Sequence, residues 1–165
     1  MRNSNYIFEK YCSLRRWDTY WYQIKYCREV CTTGSNILLI GPGDWIVVDV
    51  LRGMEYNVEV FDIRPGADIK GNILDIKRLV TKHYDVVICC EVLEHVGFGY
   101  AEGIVEHLKT IADKRLIISI PIYKGVVDRY HQWELGSTEE TKMFDKYCSP
   151  CTIDIVHSKW KFYII

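Results

Sequence analysis

The residue types best suited to chemistry cluster in one short segment, Glu91-Val92-Leu93-Glu94-His95. If this segment begins a helical turn, Glu91, Glu94 and His95 fall at i, i+3 and i+4 and share one face. His131 comes later, after the next strand-like apolar run. Two carboxylates and two imidazoles make a ligand set suited to Mg²⁺, Mn²⁺ or Zn²⁺. The alternative is a pocket without metal. In either case His95, His131 and Glu94 are the catalytic candidates, and His95 or His131 can act as a general base.

A second set of residues indicates a ligand site. The apolar strand at 37–40 runs into Gly41-Pro42-Gly43-Asp44 and then into an apolar helix, which is the geometry of a nucleotide-type crevice. The third glycine of dinucleotide folds is absent. Asp44 also places a carboxylate at the helix start, where a phosphate would need free N–H groups and no anion. The turn therefore favours a ligand that has ribose hydroxyls and an ammonium or sulfonium but no phosphate.

Asp62 ends the second apolar strand, roughly twenty residues after the glycine turn, where a carboxylate can accept hydrogen bonds from ribose hydroxyls. Alternatively, Asp62 only starts the turn at Arg64-Pro65-Gly66. Its distance from the glycine turn favours the ribose role. On that reading Asp62→Ala weakens ligand binding far more than folding.

The elements that must position these residues alternate between strand and helix, which predicts βαβ units and a parallel sheet. The carboxyl ends of parallel strands meet at one edge, so the glycine turn, Asp62 and Glu91 are expected to lie together. We predict strands at 37–40, 58–61, 69–71, 84–90 and 115–120, helices at 44–54, 75–82, 100–112 and 138–147, and a closing antiparallel hairpin at 152–157 and 160–165.

Composition limits the function classes. With 165 residues, 48% of them hydrophobic, the chain fits one compact domain. Its net charge of -1 gives no overall field that would recruit nucleic acid or a membrane. No apolar run is long enough to span a bilayer, and no signal sequence is evident, so we expect a cytoplasmic protein.

The seven cysteines do not predict a disulfide framework, because their number is odd. Cys27-x3-Cys31 and Cys148-x2-Cys151 could form a four-thiolate zinc site only if the two segments meet. Buried or turn cysteines are the simpler interpretation.

The segment 1–35 is rich in aromatic residues and is expected to form one or two helices that act as a lid or packing segment on the core at 36–165. Most of its rings should cover apolar surface. A minority, together with Arg15 and Arg16, could stack or clamp a substrate, including a terminal nucleotide.

Taken in order, the motifs from about residue 36 onward resemble those of the class I S-adenosylmethionine-dependent methyltransferases. Segment 37–44 resembles their first motif, 58–62 the second, 71–75 the adenine-binding third and 84–96 the fourth. The resemblance implies a three-layer αβα Rossmann-like sheet that is mostly parallel, with an antiparallel C-terminal strand, the order 3-2-1-4-5-7-6 and additional N-terminal helices.

The resemblance also implies residue roles. The two turn glycines would face the methionine part of S-adenosylmethionine, Asp62 the ribose, and Asn72 and Ile73 the adenine. Two positions depart from the family pattern: Trp45 near the missing third glycine, and Asn72 where an aspartate is usual. The cofactor-binding set is then Gly41, Gly43, Asp44, Asp62, Asn72, Ile73 and Glu91.

The expected function is methyl transfer from S-adenosylmethionine to an oxygen or nitrogen of a small-molecule or RNA acceptor. Glu-x-x-Glu-His with a later histidine is similar to the metal site of the small-RNA 3′-terminal 2′-O-methyltransferases, and it also occurs in ubiquinone-pathway O-methyltransferases. Metal-assisted 2′-O-methylation of RNA, with Glu91, Glu94, His95 and His131 as ligands, is therefore one alternative. An inactive cofactor-binding regulatory module is another. A nicotinamide-dependent oxidoreductase is disfavoured by Asp44 and the missing glycine.

Overall fold

The computed structural model describes residues 14–122, 138–148, 150–156 and 159–165. Within these residues, seven strands form one sheet in the order β3-β2-β1-β4-β5-β7-β6. The first five strands pair in parallel, and β7 is antiparallel to both of its neighbours. The predicted fold class and strand order are confirmed. The strands are β1 (Asn36–Ile40), β2 (Asn57–Asp62), β3 (Ile69–Lys70), β4 (Tyr84–Cys90), β5 (Ala112–Pro121), β6 (Thr152–Val156) and β7 (Trp160–Ile164).

The helices of the described residues are α1 (Leu14–Arg28), α2 (Ile46–Gly53), α3 (Ile76–Leu79), α4 (Phe98–Ile111) and α5 (Thr138–Cys148). The helix predicted at 75–82 is shorter than expected. A 3₁₀ turn at Ile73–Asp75 leads into α3, which ends because Val80 adopts an extended backbone and buries its side chain in the core. No helix in the described part of the chain is long and apolar enough to cross a membrane.

Alternate residues of each central strand point to opposite faces of the sheet, which produces two apolar layers. Leu38 and Ile40 of β1 pack with residues of α3, α4 and α5 on one face. Ile37 and Leu39 pack with α1 and α2 on the other. Tyr26 and Cys27 of α1 are fully part of that second layer. The N-terminal helix is thus packed on the sheet beside the first glycine turn.

Candidate functional site

A cleft of about 570 Å³ opens at the carboxyl ends of β1, β2 and β4. Its size lies within the range of roughly 300–1,000 Å³ that is usual for small-molecule sites. The sheet topology explains the position, because parallel strands deliver their carboxyl ends to the same edge. Of the residues predicted from the sequence, those that line the cleft are Gly41, Gly43, Asp62, Asn72, Ile73, Glu91 and His95.

The glycine turn is a tight connection that requires its glycines. Gly41 and Gly43 have φ values of 61° and 72°, in the left-handed region that other residues avoid. The Gly41 N–H donates to the Phe61 carbonyl of β2 at 2.9 Å, which ties the turn to the second strand. A Cβ atom on Gly41 would lie 2.7 Å from Cγ2 of Val92. The first turn and the segment after β4 therefore approach more closely than a side chain allows.

Asp44 and Trp45 follow the turn and shape the start of α2. One Asp44 carboxylate oxygen accepts the Ile46 N–H at 3.1 Å, and the other accepts the Tyr20 hydroxyl of α1. Both Asp44 carboxylate oxygens therefore accept hydrogen bonds from the protein itself, and Asp44 is not among the described residues that line the cleft. Its predicted contact with a cofactor stays a prediction. Trp45, at φ 76°, packs with the apolar layer formed by α1 and α2.

The carboxylate of Asp62 is only 7% exposed, and it is held by Arg64. The Arg64 guanidinium donates to both carboxylate oxygens, through Nε at 3.1 and 3.0 Å and through Nη2 at 2.5 Å. The Arg64 N–H donates to Oδ1 at 2.9 Å, so Asp62 also forms the local turn. Asp62 thus lines the cleft and also starts the turn, and its contact with a ribose stays a prediction.

Arg64 changes the electrostatics of Asp62. Burial alone would raise the pKa of the Asp62 carboxyl, but the hydrogen bonds and positive charge of Arg64 outweigh it and hold the pKa below its ordinary value. Another guanidinium nitrogen, Nη1, donates to the carbonyl of Gly43. Arg64 therefore joins the end of β2 to the glycine turn. Sequence reasoning gave it no role, although its position two residues after Asp62 was a signal.

The third predicted motif forms the outer wall of the cleft. Asn72 accepts the Leu74 N–H at 3.0 Å through Oδ1, so its amide oxygen caps the 3₁₀ turn. The cleft rim carries large apolar side chains that are unusually exposed, namely Ile63, Leu74 and Tyr100. Sequence reasoning did not single out these three residues. A flat apolar ligand group would find two aliphatic side chains and one ring at this rim.

The Glu-x-x-Glu-His segment is not arranged as expected. Glu91 has a left-handed φ of 55°, and its N–H donates to the Ser119 carbonyl of β5 at 2.9 Å. The helical turn begins only at Leu93 and is a 3₁₀ turn over Leu93–His95. The prediction that Glu91, Glu94 and His95 share one face is therefore wrong. Glu91 and His95 line the cleft, whereas Glu94 is 1% exposed.

Glu94 is a buried carboxyl group whose Oε2 has no hydrogen-bond partner among the described residues. Burial raises its pKa well above the ordinary value, and the charges of Glu91 and Glu140 add to the shift. Among the described residues, no three histidine, cysteine or acidic side chains come together as a metal-binding group. His131 lies outside the described residues, so the four-ligand metal site and the catalytic role of His131 stay predictions.

Five cysteines of the described part of the chain are free thiols: Cys27, Cys31, Cys89, Cys90 and Cys151. Cys27 and Cys89 are completely buried in the apolar layers. Burial is the main cause that raises the pKa of both thiols, which disfavours the reactive thiolate. Cys27 and Cys89 thus serve as small core residues, whereas the side chain of Cys148 lies outside the described residues and the four-thiolate zinc site stays a prediction.

Helix α1 contacts both acidic residues next to the glycine turn. Arg16 pairs with Glu91, and one helical turn later Tyr20 donates to Asp44. Burial and the hydrogen bond to Asp44 raise the pKa of Tyr20 well above its ordinary value. Arg16 was considered from the sequence as a substrate clamp, but here its guanidinium is engaged by Glu91. The two contacts hold α1 beside the mouth of the cleft.

Comparison with solved structures decides the fold. The N-methyltransferase NodS from Bradyrhizobium japonicum WM9, in complex with S-adenosylhomocysteine, has a TM-score of 0.71 over 99% of this chain and 92% of its own, at 11% identity. The chain has the class I methyltransferase fold. The small RNA methyltransferase HEN1 gives a TM-score of 0.70 at 18% identity, over 89% of this chain and 24% of HEN1. ChlM from Synechocystis PCC 6803, with bound S-adenosylhomocysteine, gives 0.68 at 14% identity, over 92% of this chain and 83% of ChlM.

Sequence comparison adds one curated relative of this chain. The chloroplastic magnesium protoporphyrin IX methyltransferase of Arabidopsis thaliana is 31% identical over 78 residues, which cover 46% of this chain. The matched segment spans 25% of that enzyme's length, so the match covers less than half of this chain and a quarter of its relative. No protein-family model matches the chain.

Proposed function

We propose that the protein is a methyltransferase that moves a methyl group from S-adenosylmethionine to an oxygen or nitrogen of an acceptor. The observation that carries the proposal is the convergence of the glycine turn, the buried carboxylate of Asp62 and the Asn72 turn around one cleft. The relatives described above are named as methyltransferases, which supports the same conclusion.

The residues of the cleft fit this cofactor. Gly41 and Gly43 leave room for its methionine part, and the Gly43 carbonyl can accept from an ammonium. Asp62 offers two acceptor oxygens to a ribose diol. The exposed aliphatic side chains of Ile63 and Leu74 can flank the adenine ring. A dinucleotide fits less well, because the Asp44 carboxylate already caps the start of α2, where a pyrophosphate would bind.

When bound, the cofactor supplies a methyl group on a positively charged sulfur, which an acceptor atom can attack directly. The protein's task is then to orient the acceptor and to exclude water. His95 is exposed at the cleft, and its imidazole can take the proton that an acceptor hydroxyl or amine must lose. Glu91, fixed by Arg16, presents a carboxylate at the same mouth. Glu94 is buried and would act only through its neighbours.

The acceptor, a divalent metal and a cytoplasmic location stay predictions. The metal-assisted RNA reaction depends on His131, which lies outside the described residues. Chelation tests it directly: activity that is indifferent to EDTA and unchanged in His131→Ala would exclude this reaction. An inactive module would bind S-adenosylhomocysteine but transfer no methyl group to any acceptor.

The activity test uses S-adenosylmethionine with a labelled methyl group, offered with small RNA and, separately, with a metabolite extract. We expect label in one acceptor fraction, and a reduction of roughly 10²-fold or more in His95→Ala. S-adenosylhomocysteine affinity should stay within about twofold in this variant, because the proposed role of His95 concerns the acceptor. His83→Ala is the matched control, since His83 pairs with Asp113 away from the cleft. Full activity of His95→Ala would contradict the general-base role.

A further inference from the structure

Arg64 occupies the acceptor groups that the proposed cofactor would need. A carboxylate has about four lone-pair positions. Four donor contacts from Arg64 reach the two oxygens of Asp62: its own N–H and Nε on Oδ1, and Nε and Nη2 on Oδ2. A ribose diol also needs acceptor positions on these oxygens. The full set of contacts therefore cannot coexist with two hydroxyl donors.

The same side chain covers a second acceptor. Nη1 of Arg64 donates to the carbonyl of Gly43, the group that we assign to the ammonium of the cofactor. The Arg64 guanidinium, which bridges Gly43 and Asp62, therefore resembles the cofactor: both present hydrogen-bond donors and a positive charge to these acceptors. Both acceptors line the cleft, and so does Arg64.

Arg64 is able to leave this position. Its side chain is 33% exposed, whereas Asp62 is 7% exposed, so the carboxylate is fixed and the guanidinium borders solvent. Pro65 and Gly66 follow it, and Gly66 has a φ of 95° in the exposed loop before β3. A long flexible side chain on an exposed loop can rotate away without disturbing the sheet.

We propose that Arg64 is an internal competitor that sets the affinity of this site: it holds the Asp62 carboxylate and the Gly43 carbonyl until the cofactor displaces it. This inference rests on the proposed function. Its consequence is that Arg64 stabilises the ligand-free protein and weakens cofactor binding. If Arg64 had only the structural role of positioning Asp62, it would favour both the stability of the ligand-free protein and the binding of the cofactor.

The test is a calorimetric titration of S-adenosylhomocysteine into the full-length wild type and Arg64→Ala, with thermal unfolding of the ligand-free proteins. We expect Arg64→Ala to bind about three- to tenfold more tightly, since a partly exposed ion pair is lost from the free state only. Its ligand-free melting temperature should fall. Arg64→Gln, which has no positive charge and fewer donors, should shift both quantities in the same directions and guards against a folding defect in the alanine variant.

Arg52→Ala is the matched control, because Arg52 also pairs with an acid, Asp68, but does not line the cleft. Its affinity should stay within about twofold of the wild type. If the wild type binds and the Arg64 variants bind equally or more weakly, the competitor role is overturned while the proposed function stands. If neither the wild type nor the Arg64 variants bind S-adenosylhomocysteine, the proposed function is overturned as well.

Discussion

Replacing each glycine of the first turn by alanine separates two physical effects that the structure assigns to them. At Gly41, an alanine would have to keep the left-handed backbone φ of 61°, and its Cβ atom would lie 2.7 Å from Cγ2 of Val92. The backbone strain costs roughly 1–2 kcal/mol. Overpacking against Val92 adds roughly 1–3 kcal/mol, since neighbouring atoms must shift. We therefore expect Gly41→Ala to lower the free energy of unfolding by about 2–5 kcal/mol.

Gly43→Ala is the matched comparison. Its φ of 72° is equally left-handed, but a Cβ atom there, its two chain neighbours apart, has no atom of the described residues within 4 Å. The expected loss is only the strain, roughly 1–2 kcal/mol. Because Gly43 lines the cleft, its methyl group should instead occupy ligand space and weaken S-adenosylhomocysteine binding by roughly tenfold or more.

Urea denaturation followed by circular dichroism measures both free energies, and calorimetry measures the binding. Val92→Ala provides a double-mutant cycle, since removing the Val92 methyl groups should recover part of the loss in Gly41→Ala but none in Gly43→Ala. Equal losses in the two glycine variants, or no coupling of Gly41 to Val92, would refute the close approach that we describe.

Three further predictions concern buried and paired groups. Glu94→Gln should become progressively more stable than the wild type as pH rises from 4 to 8. The raised pKa keeps the Glu94 carboxyl protonated in the folded state, so the wild type loses stability as pH rises, whereas glutamine does not titrate. A pH-independent difference in urea denaturation would contradict this. Asp62→Asn should be less stable than the wild type at neutral pH. The difference should shrink as pH falls through the lowered pKa of the folded Asp62 carboxyl, because the stability that a depressed pKa contributes is lost there; a pH-independent difference would contradict this. Tyr20→Phe should lower the free energy of unfolding by about 1.5–3 kcal/mol, because the Asp44 carboxylate loses a hydrogen bond. Hydrogen exchange should show weaker protection of the α1 amides, and unchanged protection of α1 would contradict that contact.

The sequence predicted the sheet well, because its signals are local. The apolar run at 84–90 and the antiparallel hairpin at the end are direct consequences of strand periodicity and of a connection too short for a crossover. Helix boundaries were less certain at 75–82, where burial of Val80 overrides helix propensity. Tertiary packing, which periodicity does not report, ended that helix early.

The site was predicted in part. The glycine turn, Asp62 and Asn72 lie around one cleft as expected. The side chains of Glu91 and Glu94 diverge because Glu91 takes a left-handed conformation as it bonds to β5, a contact between distant segments. Arg64 was missed for the same kind of reason, since one of its acceptors is the carbonyl of Gly43, 21 residues earlier in the chain. Because Arg64 also holds the carboxylate, the expectation that Asp62→Ala weakens ligand binding far more than folding is incomplete, and Asp62 variants should lose stability as well as affinity.

The residues of the cleft fit S-adenosylmethionine better than a phosphate-bearing dinucleotide. The most direct measurement is a calorimetric titration of the wild-type protein with S-adenosylhomocysteine and, separately, with NADH. We predict saturable binding of S-adenosylhomocysteine at one site per chain and no measurable heat with NADH. Binding of NADH without binding of S-adenosylhomocysteine would contradict the proposed cofactor.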